Sequence, residues 1–256
     1  MKSSAPQDPA EQEHQFQDLD LLEIPFEGVA AYWLSLKKVL KSKKNAKLLQ
    51  EEAEYTSEPY IHHLLELSLA SFTEEQVRRF AGIKRETLLK DLHRKLILIS
   101  IGLLGIAESE NPQQVLVRII SKFPISPIVE RKIFQNAQNL LATAHRQPGC
   151  IDVDHRMHIE KLITHLIYFC MLARRQGTAA CEPFLKEVRS RYFKEGMHLI
   201  LDGFDTDFVK HRLNLQQEEI IYETGRKMEL ALEMALALRN NLPYADMFKI
   251  ANSFLL

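Results

Sequence analysis

Residues 84–122 read KRETLLKDLHRKLILISIGLLGIAESENPQQVLVRIISK. Leu88, Leu92, Leu96 and Ile99 recur on one side of a helix, so the first half of this stretch is amphipathic. From Leu96 to Ala107 the run LILISIGLLGIA is apolar nearly all round, the pattern of a helix enclosed by other helices. A helix needs about 20 apolar residues to cross a bilayer. This run is shorter and holds Gly102 and Gly105, so it reads as a buried half-helix and not as a span. Asn111 followed by Pro112 supplies an N-cap and a first-turn proline, which predicts a second helix ending near Lys122.

The same grammar repeats outward in both directions. Toward the N-terminus, Val29, Trp33, Leu36 and Leu40 have helical spacing, and 57–71 reads as a helix with Ile61, Leu64, Leu65 and Leu69 on its apolar face. Thr73 with Gln76 forms a capping box that predicts a short helix ahead of the long one beginning near Lys84. Toward the C-terminus, Pro124 ends a helix, and Ser126 with Pro127 opens one to about His145. Asp154 is expected to cap a helix to about Gln176, and Pro183 to lie near the start of one to about Leu201. A tight turn around Gly203 then precedes a short helix, Thr206 to Leu213, a long one, Leu215 to Asn240, and a last one opened by Pro243. No run alternates with a period of two, so the fold class is all-α, a multi-helix bundle. Pro148 and Gly149 place the expected division at 147–153, giving an acidic disordered arm (1–22), an N-terminal half (23–146) and a C-terminal half (147–256).

The chain of 256 residues is 46% hydrophobic with 9 Gly, which excludes global disorder and argues against a turn-rich β-sandwich. Lys and Arg number 33 against 34 Asp and Glu, so the basic excess of a nucleic-acid binder is missing. Charge is segregated all the same. Gly28 to Gln50 has no acidic residue and crowds Lys37, Lys38, Lys41, Lys43, Lys44 and Lys47. Such a helix suits an anionic membrane surface or an acidic partner, or packs its Trp on the core with the lysines in water. Cys150, Cys170 and Cys181 form no disulfide framework, and the start shows no apolar signal core, so a cytoplasmic protein is expected, with the inner membrane surface as an alternative site.

Residues 102–119, GLLGIAESENPQQVLVRI, align without a gap onto residues 196–213, GMHLILDGFDTDFVKHRL, at an offset of 94. Gly102 matches Gly196, Asn111 matches Asp205, Val115 matches Val209 and Arg118 matches Arg212. Each copy has an apolar helix end, an acidic turn, an Asn or Asp cap and a short amphipathic helix with a late arginine. Helix-turn-helix units share that grammar with or without duplication.

Met171 to Leu213 contains MLARRQGTAACEPFLKEV and then FKEGMHLILDGFDTDFVKHRL. Its Ala173, Arg174, Arg175, Gly177 and Glu182, followed by Gly196, Leu199, Asp202, Gly203 and Asp205, resemble the cytoplasmic loop of the MotA family of flagellar motor stators. Ile101 to Phe123 resembles that family's second cytoplasmic segment through Glu110, Asn111, Pro112 and Phe123; Ser109 stands where the pattern has Gly, and Ile101 where it has Glu. The two pieces occur in reversed order, and the family's four membrane helices have no counterpart. The resemblance implies a relative of the stator's cytoplasmic part that lines no ion path and binds stator or rotor components. It implies partner contacts for Arg174, Arg175 and Glu182. If one helix continued through Gly177, Arg174 and Glu182 would project from a similar face, whereas a new helix at Pro183 would break that geometry. Gly203, Asn111, Pro112 and Asp205 have structural roles, as a positive-φ turn, caps and a helix start.

Little else points to chemistry. His155 and His158 share a helix face near Asp152 and Asp154, but His165 is two further turns along, so no metal is assigned. No H-E-x-x-H, P-loop, dinucleotide turn or G-x-S-x-G elbow is present, and no cofactor or catalytic residue is assigned. The expected function is non-enzymatic protein interaction at or near the bacterial flagellar motor. The alternatives are a peripheral membrane adaptor using Lys37, Lys38, Lys41 and Lys44, or a helical enzyme or ligand-binding bundle with a site spread across helices, marked by a deep polar cavity.

Overall fold

A computed structural model describes residues 19–42, 46–123, 125–143 and 151–255. Among them every regular element is a helix. The expected all-α class holds, and no described helix is long and apolar enough to cross a membrane. In chain order the elements are α1 (Phe26–Ser42), α2 (Ala46–Tyr55), α3 (Pro59–Leu69), α4 (Glu74–Ala107), α5 (Pro112–Lys122), α6 (Pro127–Thr143), α7 (Ile159–Gln176), a 3-10 helix (Thr178–Lys186), α8 (Arg191–Leu201), α9 (Thr206–Arg239) and α10 (Tyr244–Asn252).

Local chemistry sets most helix starts. Thr73 N–H donates to Gln76 Oε1 (2.9 Å) and Gln76 N–H to Thr73 Oγ1 (3.3 Å), the reciprocal bonds of the expected capping box. Asn111 Oδ1 accepts from Gln113 N–H (3.1 Å), with Pro112 in the first turn. Ser126 Oγ accepts from Val129 N–H and Ser190 Oγ from Phe193 N–H. Four expectations need correction. The short helix after Thr73 and the long one from Lys84 are a single 34-residue α4, because Gly82 keeps helical backbone with open space around it. The helices on either side of Asn214 likewise merge into a 34-residue α9. Asp154 does not cap α7; its Oδ1 accepts from Arg156 N–H (2.9 Å), and His158 is the N-cap. Pro183 lies inside the 3-10 helix, and α8 starts separately after Ser190.

Packing divides the chain into one unit of Met1–Lys90 with Ile220–Leu256 and another of Asp91–Glu219, so α4 and α9 each run through the division. The turn expected as the boundary between halves lies within the second unit, and most of it falls outside the described residues. In the first unit Trp33, Tyr60, Ile61, Leu64 and Leu65 are fully buried and pack with Leu230, Met234 and Met247. At order of magnitude, each large apolar side chain removed from water contributes about 1.5–3 kcal/mol. Leu19 and Leu21 join this core, and Glu58 accepts from Leu21 N–H (3.3 Å), so residues 19–22 are a packed segment and not the end of an arm. The rest of the expected acidic arm lies outside the described residues.

The second unit is built around α7, whose residues from Leu162 to Ala173 are all buried. The apolar second half of α4 is enclosed as its pattern required, with Ile99, Leu103 and Ile106 at most 1% exposed. Tyr168, Phe169, Phe184 and Phe193 form an aromatic cluster that holds the 3-10 helix and α8 against α7. Asp152 and Val153 tie the segment before α7 to the segment before α8. Asp152 Oδ1 accepts from Arg189 N–H (2.8 Å), and Val153 O accepts from Ser190 N–H (2.8 Å).

Candidate functional site

The two echoing stretches fold alike, with the same three backbone hydrogen bonds closing the first helix of each. At the end of α4, Glu108 N–H donates to Leu104 O, Ser109 N–H to Ile106 O and Glu110 N–H to Gly105 O. At the end of α8, 94 residues on, Asp202 N–H donates to His198 O, Gly203 N–H to Ile200 O and Phe204 N–H to Leu199 O. This is a helix C-terminus closed by one left-handed residue. That residue is Ser109 at φ 51° in the first hairpin and Gly203 at φ 80° in the second. The next helix is then capped by Asn111 or by Asp205, whose Oδ1 accepts from Phe208 N–H (2.9 Å). Val115 and Val209 turn inward, both fully buried. The caps and turn residues Asn111, Pro112, Gly203 and Asp205 therefore have the structural roles read from the sequence. The copies also meet: a Cβ built on Gly196 would stand 2.5 Å from Leu103 Cδ1.

Arg174 and Arg175 are in the last turn of α7 and exposed, where cations oppose the partial negative charge of a helix C-terminus. Gly177, at φ 85°, stops α7 there. Glu182 is exposed on the following 3-10 helix. The continuous helix that would have aligned Arg174 with Glu182 does not exist, because the left-handed Gly177 turns the chain before Thr178. The structure does bring the two family-like segments together: Arg174 Nη1 donates to Ser109 O at 3.4 Å, across 65 residues of sequence. Beside that turn, Arg118 pairs with Glu110 (2.6 Å) and with Glu108 (3.5 Å). The surface thus presents Arg174, Arg175 and the Glu108–Arg118–Glu110 cluster around one turn. Sequence reading missed this cluster, since residues 108 and 118 are brought together by the hairpin and not by helical spacing.

The lysine helix is largely committed inward. Trp33 is fully buried in the core, and Lys37, 3% exposed, donates from Nζ to Asn241 Oδ1 at 2.6 Å. Lys37 is therefore a buried structural residue, which corrects its reading as a surface contact. Its helix position turns it toward α10, which packs on α1. Lys38 is exposed, with Nζ 5.2 Å from the centre of the Tyr244 ring. The Lys41 side chain and Lys44 lie outside the described residues.

The histidines are dispersed. His165, 3% exposed, is held through Nδ1 by the Asp152 backbone, and burial pushes its pKa below the usual value. His155 Nδ1 is 3.2 Å from Asp154 Oδ1, while His158 stands exposed at the start of α7. Among the described residues no three His, Cys, Asp or Glu side chains are grouped to hold a metal. Burial pushes both the Cys170 and Cys181 thiols up, Cys181 to about 12. A groove of about 550 Å³ between α6 and α7 is floored by Ile133, Thr164 and His165 and is open to solvent.

Fold and surface together define an all-helical protein with exposed charged residues at the end of α7 and at the turn after α4. The chain is similar to Motility protein A of Helicobacter pylori, strains ATCC 700392 / 26695 and J99 / ATCC 700824. Each is 25% identical over 129 residues, which is 49% of this chain and 49% of the relative. The chain thus matches about half the length of these curated relatives. No family model matches, and no solved structure matches.

Proposed function

We propose that this chain is a non-enzymatic interaction component of the bacterial motility apparatus, related to Motility protein A, that docks on flagellar stator or rotor components through Arg174, Arg175 and Glu182. The observation that carries the reading is the Arg174–Ser109 contact. Two segments that resemble the MotA family, far apart in the sequence, build one exposed surface. Arg174 and Arg175, exposed at the end of α7, are suited to charge-assisted hydrogen bonds with acidic residues of a partner. The similarity over half the chain supports the same direction. The buried Trp33 and Lys37 leave the membrane-adaptor alternative without its apolar face.

Affinity capture of the tagged full chain from motile cells, followed by mass spectrometry, tests the proposal. Enrichment of a stator or rotor component, lost in R174E/R175E, is expected. Enrichment of none, under conditions that preserve the motor, would overturn it.

A further inference from the structure

The two hairpins share their backbone but differ in how they neutralise their acids. In the first, Arg118 pairs with both Glu108 and Glu110. In the second, Arg212 occupies the matching position, yet among the described residues no ion pair is formed by Asp202, Asp205 or Asp207. Where the first hairpin has Glu110 and Gln114, the second has Phe204 and Phe208. These two rings are stacked, with centroids 4.8 Å apart and planes at 21°, and they remain 48% and 38% exposed. Leu215, two helical turns beyond Phe208, is 45% exposed. An ordered aromatic pair left in water beside three carboxylates is an energetic loss for the isolated chain that a partner would reverse.

We propose that the turn Asp202–Phe208 is a second docking surface, for a basic amphipathic protein segment. The partner's lysine or arginine takes the role that Arg118 plays inside the first hairpin, and its apolar side chain covers the Phe204–Phe208 stack. Charge complementarity selects this occupant: the turn carries three aspartates and no base, while Lys210, His211 and Arg212 begin only beyond Val209. The surface is separate in sequence from Arg174 and Glu182, and the proposal does not depend on the motility reading.

The test titrates the full chain with a synthetic Leu/Lys amphipathic helical peptide and with its Leu/Glu counterpart, reading fluorescence anisotropy. The Leu/Lys peptide should bind and the Leu/Glu peptide should not. F204S/F208S should weaken binding at least tenfold, and D202N/D207N should weaken it several-fold and flatten its salt dependence. V117S, an exposed apolar position on the first hairpin, should change nothing. Far-ultraviolet circular dichroism checks folding, and F204S alone, outside α9, serves if the double variant does not fold. No binding of the Leu/Lys peptide, or equal binding by F204S/F208S, would overturn the proposal. So would a self-associated species that F204S/F208S dissolves in sedimentation velocity without peptide binding, which would give the surface to a second copy.

Discussion

Ser109 and Gly203 occupy equivalent left-handed positions with different side chains, so reciprocal substitution tests the duplicated geometry directly. An L-residue in this region costs about 1–2 kcal/mol in local sterics, and glycine avoids that cost. Glycine also loses more backbone entropy on folding, about 0.5–1 kcal/mol relative to alanine. Ser109 is exposed, and its backbone bonds, Ser109 N–H to Ile106 O and Arg174 Nη1 to Ser109 O, do not involve the side chain. S109G should therefore stabilise the chain by about 0.5–1 kcal/mol. G203A should destabilise it by about 1 kcal/mol, because the penalty at φ 80° outweighs the entropy gained. There is open space where a Cβ at Gly203 would stand, so collision adds nothing to the cost. Urea denaturation followed by circular dichroism reads both values. Opposite signs are required. A neutral or destabilising S109G together with a harmless G203A would refute the left-handed closure of the two helices.

Three other outcomes follow from the packing. Lys37→Ala should cost about 1 kcal/mol, the net worth of one hydrogen bond whose exposed partner Asn241 turns to water, and should leave co-sedimentation with anionic vesicles unchanged, whereas loss of vesicle binding would return Lys37 to the surface. The pKa of His165 is lowered by burial, so the unfolded chain takes up its proton first as pH falls. The stability His165 gives is present above pH of about 6.5 and is lost below it. His165→Asn should reduce the difference in stability between pH 7.5 and pH 5.5, leaving a residue from His63, whose pKa burial also lowers; an unchanged difference would contradict this. In a C150S background the native chain should not react with an aromatic disulfide reagent, since Cys170 and Cys181 are buried; rapid labelling would contradict that burial.

How much was legible in the sequence depended on how far each feature reaches. Caps are local, so Thr73, Asn111, Ser126 and Asp205 could be read directly, and the left-handed turn at Gly203 with them. The enclosed half of α4 was legible because a helix apolar on all sides is either buried or membrane-spanning, and this run is too short to span. Helix breaks were not: Gly82 and Asn214 look like stops, but neither adopts a positive φ, and α4 and α9 continue through them. Lys37 sits in the same run as five other lysines, and its burial and its bond to Asn241, 204 residues away, depend on tertiary packing. The candidate site shows the same limit. Arg174 and Glu182 could be singled out, but their arrangement depends on the left-handed Gly177, and the contact with Ser109 depends on tertiary packing. Phe204 and Phe208 were visible as aromatics four residues apart, while their exposure was not, since that spacing more often marks a core face.

Docking on the flagellar motor is proposed for the charge at the end of α7. Biolayer interferometry of the full chain against each purified stator and rotor component measures it most directly. At least one component should bind wild type and lose at least tenfold in affinity with R174E/R175E, while F204S leaves that affinity unchanged. Wild-type affinity retained by R174E/R175E, or the absence of binding to every component, would contradict the account.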